Sequence, residues 1–284
     1  MIRLDVATLL LQWATGGLLF LWVTTRHRVV GIGYGWLMRA INLALAAGAL
    51  VAGLRYNPVP LRELCSGLVV GATALALGVS IVRRRAGVRG ERVRTERRSA
   101  RVAAMTGIDR AESERDTGRA EFPPALDVPP FVLGFLGLVA ASLLGDGPVV
   151  LALARNLVGA AFLGSVTDAM LLGHWYLVQP GLGRGPIHEL NRWLAILWPF
   201  EVAALLVPTG MVSVLRGTID DGYGGLLGWF WVACAITTIV LSFVTKAALK
   251  ERAYSAVMAA TGLLYLAILT AFGTDLVARA VLSG

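Results

Sequence analysis

The feature that most constrains this chain is its series of apolar segments, each about as long as a bilayer is thick. A bilayer core of about 30 Å requires about 20 helical residues to cross it, and residues 141–154 contain a single ionisable side chain. Only 15% of all residues are charged, whereas soluble domains carry about 25%. The sequence therefore predicts an all-α, polytopic transmembrane helical bundle.

The predicted spans number about eight. Proline and glycine punctuate the connections between them, as in the segment 180–186, because neither residue continues a helix comfortably. We detect no internal sequence repeat. The spans are placed near 5–24, 34–54, 62–82, 128–144, 148–178, 188–208, 224–246 and 253–278.

One long basic loop divides the chain. Residues 83–101 contain nine arginines against two glutamates, and basic loops of membrane proteins stay on the cytoplasmic side. We therefore expect transmembrane spans 1–3 in residues 1–82, an Arg-rich cytoplasmic loop in 83–121, and spans 4–8 in 122–284. Both termini then lie on the non-cytoplasmic side. Residues 88–105 are expected to form a helix at the membrane surface.

The arginines of this loop abut hydrophobic segments without interleaved aromatic residues. This pattern argues for contact with anionic lipid headgroups or a docking partner, and against nucleic acid. Only two of the 26 basic residues of the chain are lysines, a bias that suggests a GC-rich bacterial genome and hence the inner membrane. The predicted docking residues are Arg83, Arg84, Arg85, Arg89, Arg92, Arg94, Arg97 and Arg98.

Polar residues inside predicted spans are the candidates for function, because burying them in lipid is costly. In the fifth span, Asn156, Thr167 and His174 fall on one helical stripe, since steps of eleven and seven residues nearly close the turn. We expect this stripe to face protein. Asp168 points about a third of a turn away, on the side of Trp175.

The sixth span contributes His188 and Arg192 near its start and Glu201 near its middle. A short connection makes the fifth and sixth spans antiparallel neighbours. A cytoplasmic-side polar cluster is therefore expected, composed of Arg39 of the second span with Asp168, His174, His188, Glu189 and Arg192. For Glu201, the sequence leaves three interpretations open: pairing with an arginine such as Arg155 of the neighbouring span, a protonated acid packed against another helix, or a place on a proton path with Asp168.

A quinone head group requires hydrogen-bond donors, a titratable group and aromatic or aliphatic walls. His174 has three possible roles, namely a hydrogen-bonded interhelical residue, a quinone or proton site, and a haem ligand. A bis-histidine haem b is disfavoured, because its second ligand would be His188 at the edge of the bilayer. The quinone or proton candidates are His174, Asp168, Tyr176, Trp175, Arg39 and Glu201, and the weaker ones are Asn156, Thr167, His188 and Arg192.

No spacing typical of a metal site, a nucleotide-binding loop or a catalytic triad occurs, so we predict no metal ligands and no catalytic residues. The two cysteines, Cys65 and Cys234, lie apart in apolar segments. We therefore do not expect the chain to catalyse a reaction alone. A layout of eight spans with both ends outside is shared, by analogy alone, with anchors that pass electrons between quinone and an extracytoplasmic oxidoreductase.

Three functions remain open at this point. The first is a subunit of a larger respiratory or redox assembly that interacts with quinone, or relays protons, next to the fifth and sixth spans, with other membrane or extracytoplasmic subunits as partners. The second is a small-solute transporter or channel, in which the same polar residues line the path. The third is a membrane scaffold or assembly protein that docks through the basic loop.

Overall fold

The computed structural model describes residues 5–106, 120–144, 148–179, 181–207 and 210–282, with the backbone alone at 92, 94, 98 and 101–103. Within these ranges the chain forms ten α-helices, two short 3-10 turns at Arg83–Ala86 and Pro124–Asp127, and no β-strand. The helices are α1 (Val6–Thr25), α2 (Ile32–Tyr56), α3 (Pro60–Val82), α4 (Arg89–Thr106), α5 (Val128–Leu144), α6 (Val149–Val178), α7 (Gly185–Leu206), α8 (Met211–Leu215), α9 (Leu226–Ala248) and α10 (Tyr254–Leu282).

Several helices begin where the sequence supplies a start signal. The Asp5 carboxylate accepts hydrogen bonds from the Ala7 backbone N–H at 3.2 Å and the Thr8 hydroxyl at 2.6 Å, and so caps α1. Pro60 is the first residue of α3, and Pro186 lies in the first turn of α7. Proline suits the first turn, because the N–H group that it lacks would have no partner there.

Seven helices of the described chain are long and apolar enough to cross a membrane, namely α1, α2, α3, α5, α6, α9 and α10. The chain is thus a multi-pass helical protein whose outer surface contacts lipid. Of the eight predicted spans, the sixth corresponds to α7, which does not meet the same criterion. The reason is the polar start of α7, where His188, Glu189 and Arg192 lie within five residues.

Each predicted span overlaps one observed helix. The largest difference in an end is at the C-terminus of α10, where we predicted residue 278 and the helix reaches Leu282. A helix also forms at Arg89–Thr106, one residue from the predicted 88–105. Its placement on the membrane surface stays a prediction. Of the proline- and glycine-rich segment 180–186, Pro180 lies outside the described residues.

The packing groups the long helices into two sets of four. In the first set, α1 packs on α2, α2 on α3, α3 on α5, and α5 on α1. In the second, α6 packs on α7, α7 on α9, α9 on α10, and α10 on α6. Each set is therefore a closed four-helix ring. The sequence did not predict this arrangement, because the basic loop separates three predicted spans from the five that follow.

The two rings meet along α1 and α6, the first helix of each. At the crossing, the backbones of Gly16 and Gly164 touch, and a Cβ atom on Gly16 would also overlap the carbonyl group of Ala160. Small residues allow this approach where no water is available to drive helices together. As a result α1 is the most buried of the candidate spans.

We distinguish two ends of the bundle. The basic end contains the turn between α1 and α2 and the Arg83–Ala86 turn; it is held by the Gly90 backbone N–H, which donates to the Arg28 carbonyl at 3.0 Å. The far end contains Asp5, α8 and the loop before α9. There Arg62 is buried, donating to Asp5 and, at 2.6 Å, to Glu63.

Candidate functional site

A buried arginine near the far end connects three helices. The Arg279 guanidinium of α10 donates through Nε to both carboxylate oxygens of Asp275, at 3.0 and 2.8 Å. It also donates to the side-chain oxygen of Gln12 in α1 at 2.7 Å, and to that of Asn156 in α6 at 3.4 Å. Arg279, Asp275 and Gln12 are all buried. We call this set, with Arg155 and Glu201, the far-end network.

Glu201 of α7 is the acid of the far-end network whose carboxyl group has no hydrogen-bond partner in the described chain. Its side chain is fully buried, and neither carboxyl oxygen accepts a hydrogen bond from an N–H or O–H group of the described chain. The Glu201 carboxyl group is close enough to Asp275 and Arg279 of α10, and to Arg155 of α6, to interact with them electrostatically. Three helices thus converge on one acid.

The Glu201–Arg155 ion pair, one of the interpretations that the sequence leaves open, does not form. Arg155 does reach α7, but its Nε group donates to the backbone carbonyl of Ala204 at 3.0 Å. Near the end of α7 this carbonyl has no partner further along the helix, so it is available to an arginine on the neighbouring helix. Arg155 therefore fastens α6 to the end of α7.

Asp168 of α6 is the second acid without a donor. It is fully buried, and both of its carboxyl oxygens lack a hydrogen-bond partner in the described chain. Tyr34 of α2 lies beside it and donates to its backbone carbonyl at 3.4 Å. The Tyr34 ring packs against Trp175, with ring centroids 6.1 Å apart. Asp168 and Trp175 therefore share one side of α6, as predicted.

The predicted polar stripe of α6 is only partly buried. Thr167 is buried and accepts a hydrogen bond from the Trp13 indole N–H at 2.9 Å. Asn156 is half-buried and donates to the Ser142 hydroxyl at 2.9 Å. His174 is exposed, contrary to the prediction. Helix α1 covers this face of α6 at Thr167 but not at His174, which lies about two helical turns further along α6. The His174 Nδ1 atom lies 3.4 Å from the Tyr265 hydroxyl of α10.

Two of the predicted aromatic candidates support local structure. The buried Tyr176 hydroxyl donates to the carbonyl of Gly183 at 2.5 Å, which fixes the connection between α6 and α7. The Trp175 indole N–H donates to the side-chain oxygen of Gln179 at 3.0 Å. Both contacts lie within or next to α6, so neither residue requires a ligand to explain its position.

Arg39 does not join Asp168. Its guanidinium forms two hydrogen bonds of 2.7 Å with Asp127, at the start of α5, and lies 4.1 Å from the centre of the Phe122 ring. Both charged side chains of this pair are almost completely buried. Arg39 and Phe122 also line a cleft at the basic end that encloses about 380 Å³, including space open to solvent.

The predicted cytoplasmic-side cluster is therefore dispersed over separate contacts. Glu189 accepts a hydrogen bond from Arg26 and lies 3.6 Å from the His27 ring nitrogen. His188 is half-buried, and Arg192 is exposed. Short connections placed these residues at one end of the bundle, but helix rotation points them in different directions.

The basic loop presents several of its predicted docking residues at the surface. Arg84, Arg85, Arg89 and Arg97 are exposed, whereas Arg83 is half-buried and donates to the carbonyl of Glu121 at 3.0 Å. The side chains of Arg92, Arg94 and Arg98 lie outside the described part of the chain. Over that described part, no three His, Cys, Asp or Glu side chains gather to hold a metal ion.

The sequence reasoning missed Gln12, Asp275 and Arg279, as well as Asp127. A signal existed for one pair, since an acid and an arginine four residues apart inside an apolar segment lie on one helical face. It was overlooked because Arg279 falls beyond the predicted end of the last span. No family model, curated protein or solved structure matches this chain, so its site is interpreted from its own residues.

Proposed function

We propose that this chain is an integral membrane subunit of a larger respiratory or redox assembly, in which Asp168 and Glu201 relay protons. The observation that carries the proposal is that both carboxyl groups are fully buried and accept no hydrogen bond from the described chain. In apolar surroundings such a group is least costly as a neutral acid, which holds a proton. Intramembrane acids of this kind mark proton paths.

The two acids are too far apart for one direct transfer. Asp168 lies nine residues beyond Gly159, the part of α6 that touches the far-end network, and this corresponds to about 14 Å along the helix. The buried hydroxyl groups of Ser165 and Thr167 lie between them on α6. A proton would therefore travel by way of these hydroxyls or internal water molecules.

The proposal includes eight spans with both termini on the non-cytoplasmic side of a bacterial inner membrane. In support, α7 runs the full length of the bundle. Near its start, Arg184 donates to the carbonyls of Arg252 and Ala253 in the α9–α10 connection, each at 2.9 Å, and near its end Arg155 reaches Ala204. Its 22 residues extend about 33 Å, enough to cross a bilayer.

The quinone part of the proposal depends on His174 and Tyr265. These side chains form an exposed polar pair on α6 and α10, on the outer surface that faces lipid. A quinone dissolved in the bilayer could approach this pair without entering the bundle, and the pair offers it a donor and a titratable ring. Asp168, which lies six residues earlier on α6, would then be the nearer of the two proton carriers.

Proton flux into liposomes tests the relay. The full chain is reconstituted with a pH-sensitive dye inside, and a potassium diffusion potential drives protons inward. We expect the wild type to give a proton flux above that of empty liposomes. Asp168→Asn and Glu201→Gln should each lower this flux at least about tenfold, which corresponds to a barrier higher by about 1.4 kcal/mol. Asp220→Asn, in an exposed loop, is the matched control and should conduct like the wild type.

If both substitutions leave the flux of correctly folded protein unchanged, these acids are not proton carriers. Size-exclusion chromatography and helical circular dichroism establish that each variant is folded. For the redox assembly, the native complex is purified in mild detergent and its subunits and bound quinone are identified by mass spectrometry. A complex that contains neither redox subunits nor quinone would contradict that part of the proposal.

A small-solute transporter is the second candidate: the division into two four-helix rings favours it, whereas the close contact between the rings counts against it. Transporters are often built from repeated halves, with the substrate bound where the halves meet. Here the halves meet at Gly16 and Gly164, where the backbones are in contact and leave no room for a solute. Uptake of a solute by liposomes that contain the chain alone would favour transport over the relay.

A further inference from the structure

The four helices of the first ring surround a cleft at the basic end of the bundle, which we call the basic-end cleft. It encloses about 380 Å³, including space open to solvent. Its lining includes Thr25 at the end of α1, Ile32 at the start of α2, Val88 after α3, and Phe122 before α5. The cleft therefore lies at the end of the ring, between its helices.

Arg39 brings a buried guanidinium group to this cleft. Its Nε and Nη2 groups donate to Asp127, and only 2% of its side chain is exposed. The Nη1 group makes no hydrogen bond within the described chain. It lies next to Gly35, which also lines the cleft, and a Cβ atom on Gly35 would be 2.6 Å from it. A buried donor without an acceptor is costly, and an anion in the cleft would supply the acceptor.

The start of α2 supplies further donors. No side chain caps this helix, and the N–H groups of a first helical turn have no carbonyl partner within the helix. The Gly31 N–H donates to the side-chain oxygen of Gln179 at 3.4 Å, which leaves the N–H groups of Ile32 and Gly33 without an acceptor in the described chain. The positive end of the helix dipole also favours an anion at this point.

The charge around the cleft is positive. The segments that form it, 25–39, 83–91 and 121–127, contain seven arginines and three acids. Arg26 pairs with Glu189 outside these segments, so an excess of three positive charges remains. This excess favours a phosphate group, which carries up to two negative charges, over a carboxylate.

The arginine at the rim can take part in binding. Arg28 contacts Glu121 at 3.2 Å through Nη1, and 46% of its side chain is exposed. Exposed ion pairs are weak, so Arg28 can turn its other N–H groups towards a ligand. The rim therefore adds a mobile donor to the fixed donors below it.

We propose that the basic-end cleft binds a phosphate group, with Arg39 Nη1 and the first N–H groups of α2 as fixed donors and Arg28 at the rim. Asp127 holds the Arg39 guanidinium on one edge, and the Phe122 ring lies 4.1 Å from it. The donor is thus in position before the ligand arrives, which lowers the entropy cost of binding. The phosphate belongs either to a free anion or to an anionic phospholipid. The site is independent of the proposed proton relay.

Thermal unfolding of the full chain in a neutral, phosphate-free detergent tests the site. Sodium phosphate is added at constant ionic strength, with sodium chloride as the balancing salt. A ligand that binds only the folded state raises the unfolding midpoint. We expect a saturable rise of about 3 °C or more for the wild type, and a smaller rise with sodium acetate.

Two variants remove donors without removing the Arg39–Asp127 pair. Gly35→Ala retains every charge but places a methyl group against Nη1, and Arg28→Gln removes the donor at the rim. Each should weaken phosphate binding at least about tenfold, since each disturbs a charge-assisted hydrogen bond. Arg28 is exposed, so its variant keeps the test open if Gly35→Ala does not fold.

Matched controls change the same residue types outside the cleft. Arg85→Gln removes an exposed arginine of the neighbouring turn, and Gly71→Ala adds a Cβ atom that meets nothing within 4 Å. Both should bind phosphate like the wild type. Each variant is compared with and without phosphate, so a change in its basal stability does not affect the result.

Native mass spectrometry with added phosphatidylglycerol distinguishes the two sources of the phosphate group. Lipid adducts that are lost in Arg28→Gln but retained in Arg85→Gln would assign the site to a headgroup. A phosphate-dependent shift that phosphatidylglycerol does not compete away would assign it to a free anion. The proposal is overturned if neither phosphate nor the lipid binds, or if Arg28→Gln and Gly35→Ala bind them as well as the two controls do.

Discussion

Gly16 of α1 and Gly164 of α6 bring the backbones of the two four-helix rings into direct contact. A Cβ atom on Gly164 would overlap the carbonyl group of Gly16, and one on Gly16 would overlap that of Ala160. In both cases the obstacle is backbone, which cannot rotate away as a side chain can. The contact between the rings therefore requires that both positions lack a Cβ atom.

Alanine at either glycine should separate α1 from α6. We expect Gly164→Ala to destabilise the protein by about 1 to 3 kcal/mol, the usual cost of forcing an extra group into a packed interior. The measurement is the thermal unfolding midpoint in detergent. Gly262→Ala in α10 is the control, because a Cβ atom there meets nothing within 4 Å; it should be neutral or slightly stabilising. Equal losses in both variants would contradict the close crossing.

The buried pair of Arg39 and Asp127 predicts an asymmetric response to substitution. Removal of one partner, as in Asp127→Ala, leaves an uncompensated buried charge and should cost about 3 to 5 kcal/mol. The double variant Arg39→Met with Asp127→Leu should be clearly less destabilised than Asp127→Ala. Unfolding by increasing SDS in mixed micelles measures both variants.

The exposed pair of Arg26 and Glu189 is the reference for that experiment. Both side chains are in contact with solvent, so Arg26→Ala should cost less than about 1 kcal/mol. If it destabilises the protein as much as Asp127→Ala does, burial is not the reason for the strength of the Arg39–Asp127 pair.

The helices could be predicted closely, because the length of an apolar segment and its Gly and Pro boundaries are local properties. The segment 128–144 was predicted with the same ends as α5, and 148–178 differs from α6 by one residue. A span must be about 20 residues long whatever surrounds it. Local sequence therefore determines where these helices begin and end.

The partners of the polar residues could not be predicted in the same way. His174 and Thr167 share a helical stripe, but one is exposed and the other buried, because the neighbouring helix covers only part of that stripe. Glu201 does not pair with Arg155, since the Arg155 Nε group donates to the backbone carbonyl of Ala204 instead. Such contacts depend on how whole helices cross, and no single segment contains that information.

Asp221, in the loop before α9 at the far end, should make the stability of the folded protein depend on pH. Backbone N–H groups of Gly225, Tyr223, Gly228 and Leu227 donate to its carboxylate and lower its pKa. A carboxyl group whose pKa is lower in the folded state stabilises that state above its unfolded pKa of about 3.9. This contribution is lost as the pH falls through the lower folded value.

Asp221→Asn should therefore lower the thermal midpoint at pH 7 and have a smaller effect at pH 3, which lies below the unfolded pKa. The reason is that the asparagine oxygen accepts fewer and weaker hydrogen bonds at the start of α9 than the carboxylate does. Asp220→Asn is the matched control, because within the described residues Asp220 accepts one hydrogen bond, from the Gly222 N–H at 2.9 Å. An equal loss at both pH values would show that the charge of Asp221 is irrelevant.

The number of spans can be decided by the side of the membrane on which Asp220 lies. This residue follows α7 in the chain, and Arg85 follows α3. If α7 crosses the bilayer, as its length and its contacts at both ends support, the two positions lie on opposite sides. If α7 does not cross, they lie on the same side, and the two termini are then separated by the membrane.

Single cysteines at these positions distinguish the two arrangements. Cys65 and Cys234 are buried and free, so replacing both by alanine provides a background without reactive thiols. Asp220→Cys and Arg85→Cys are then treated with a membrane-impermeant maleimide on intact cells and on lysed membranes. We expect Asp220→Cys to react on intact cells and Arg85→Cys only after lysis, because eight spans place them outside and inside respectively. Identical labelling of both would exclude α7 as a span and, with it, a Glu201 carrier inside the membrane.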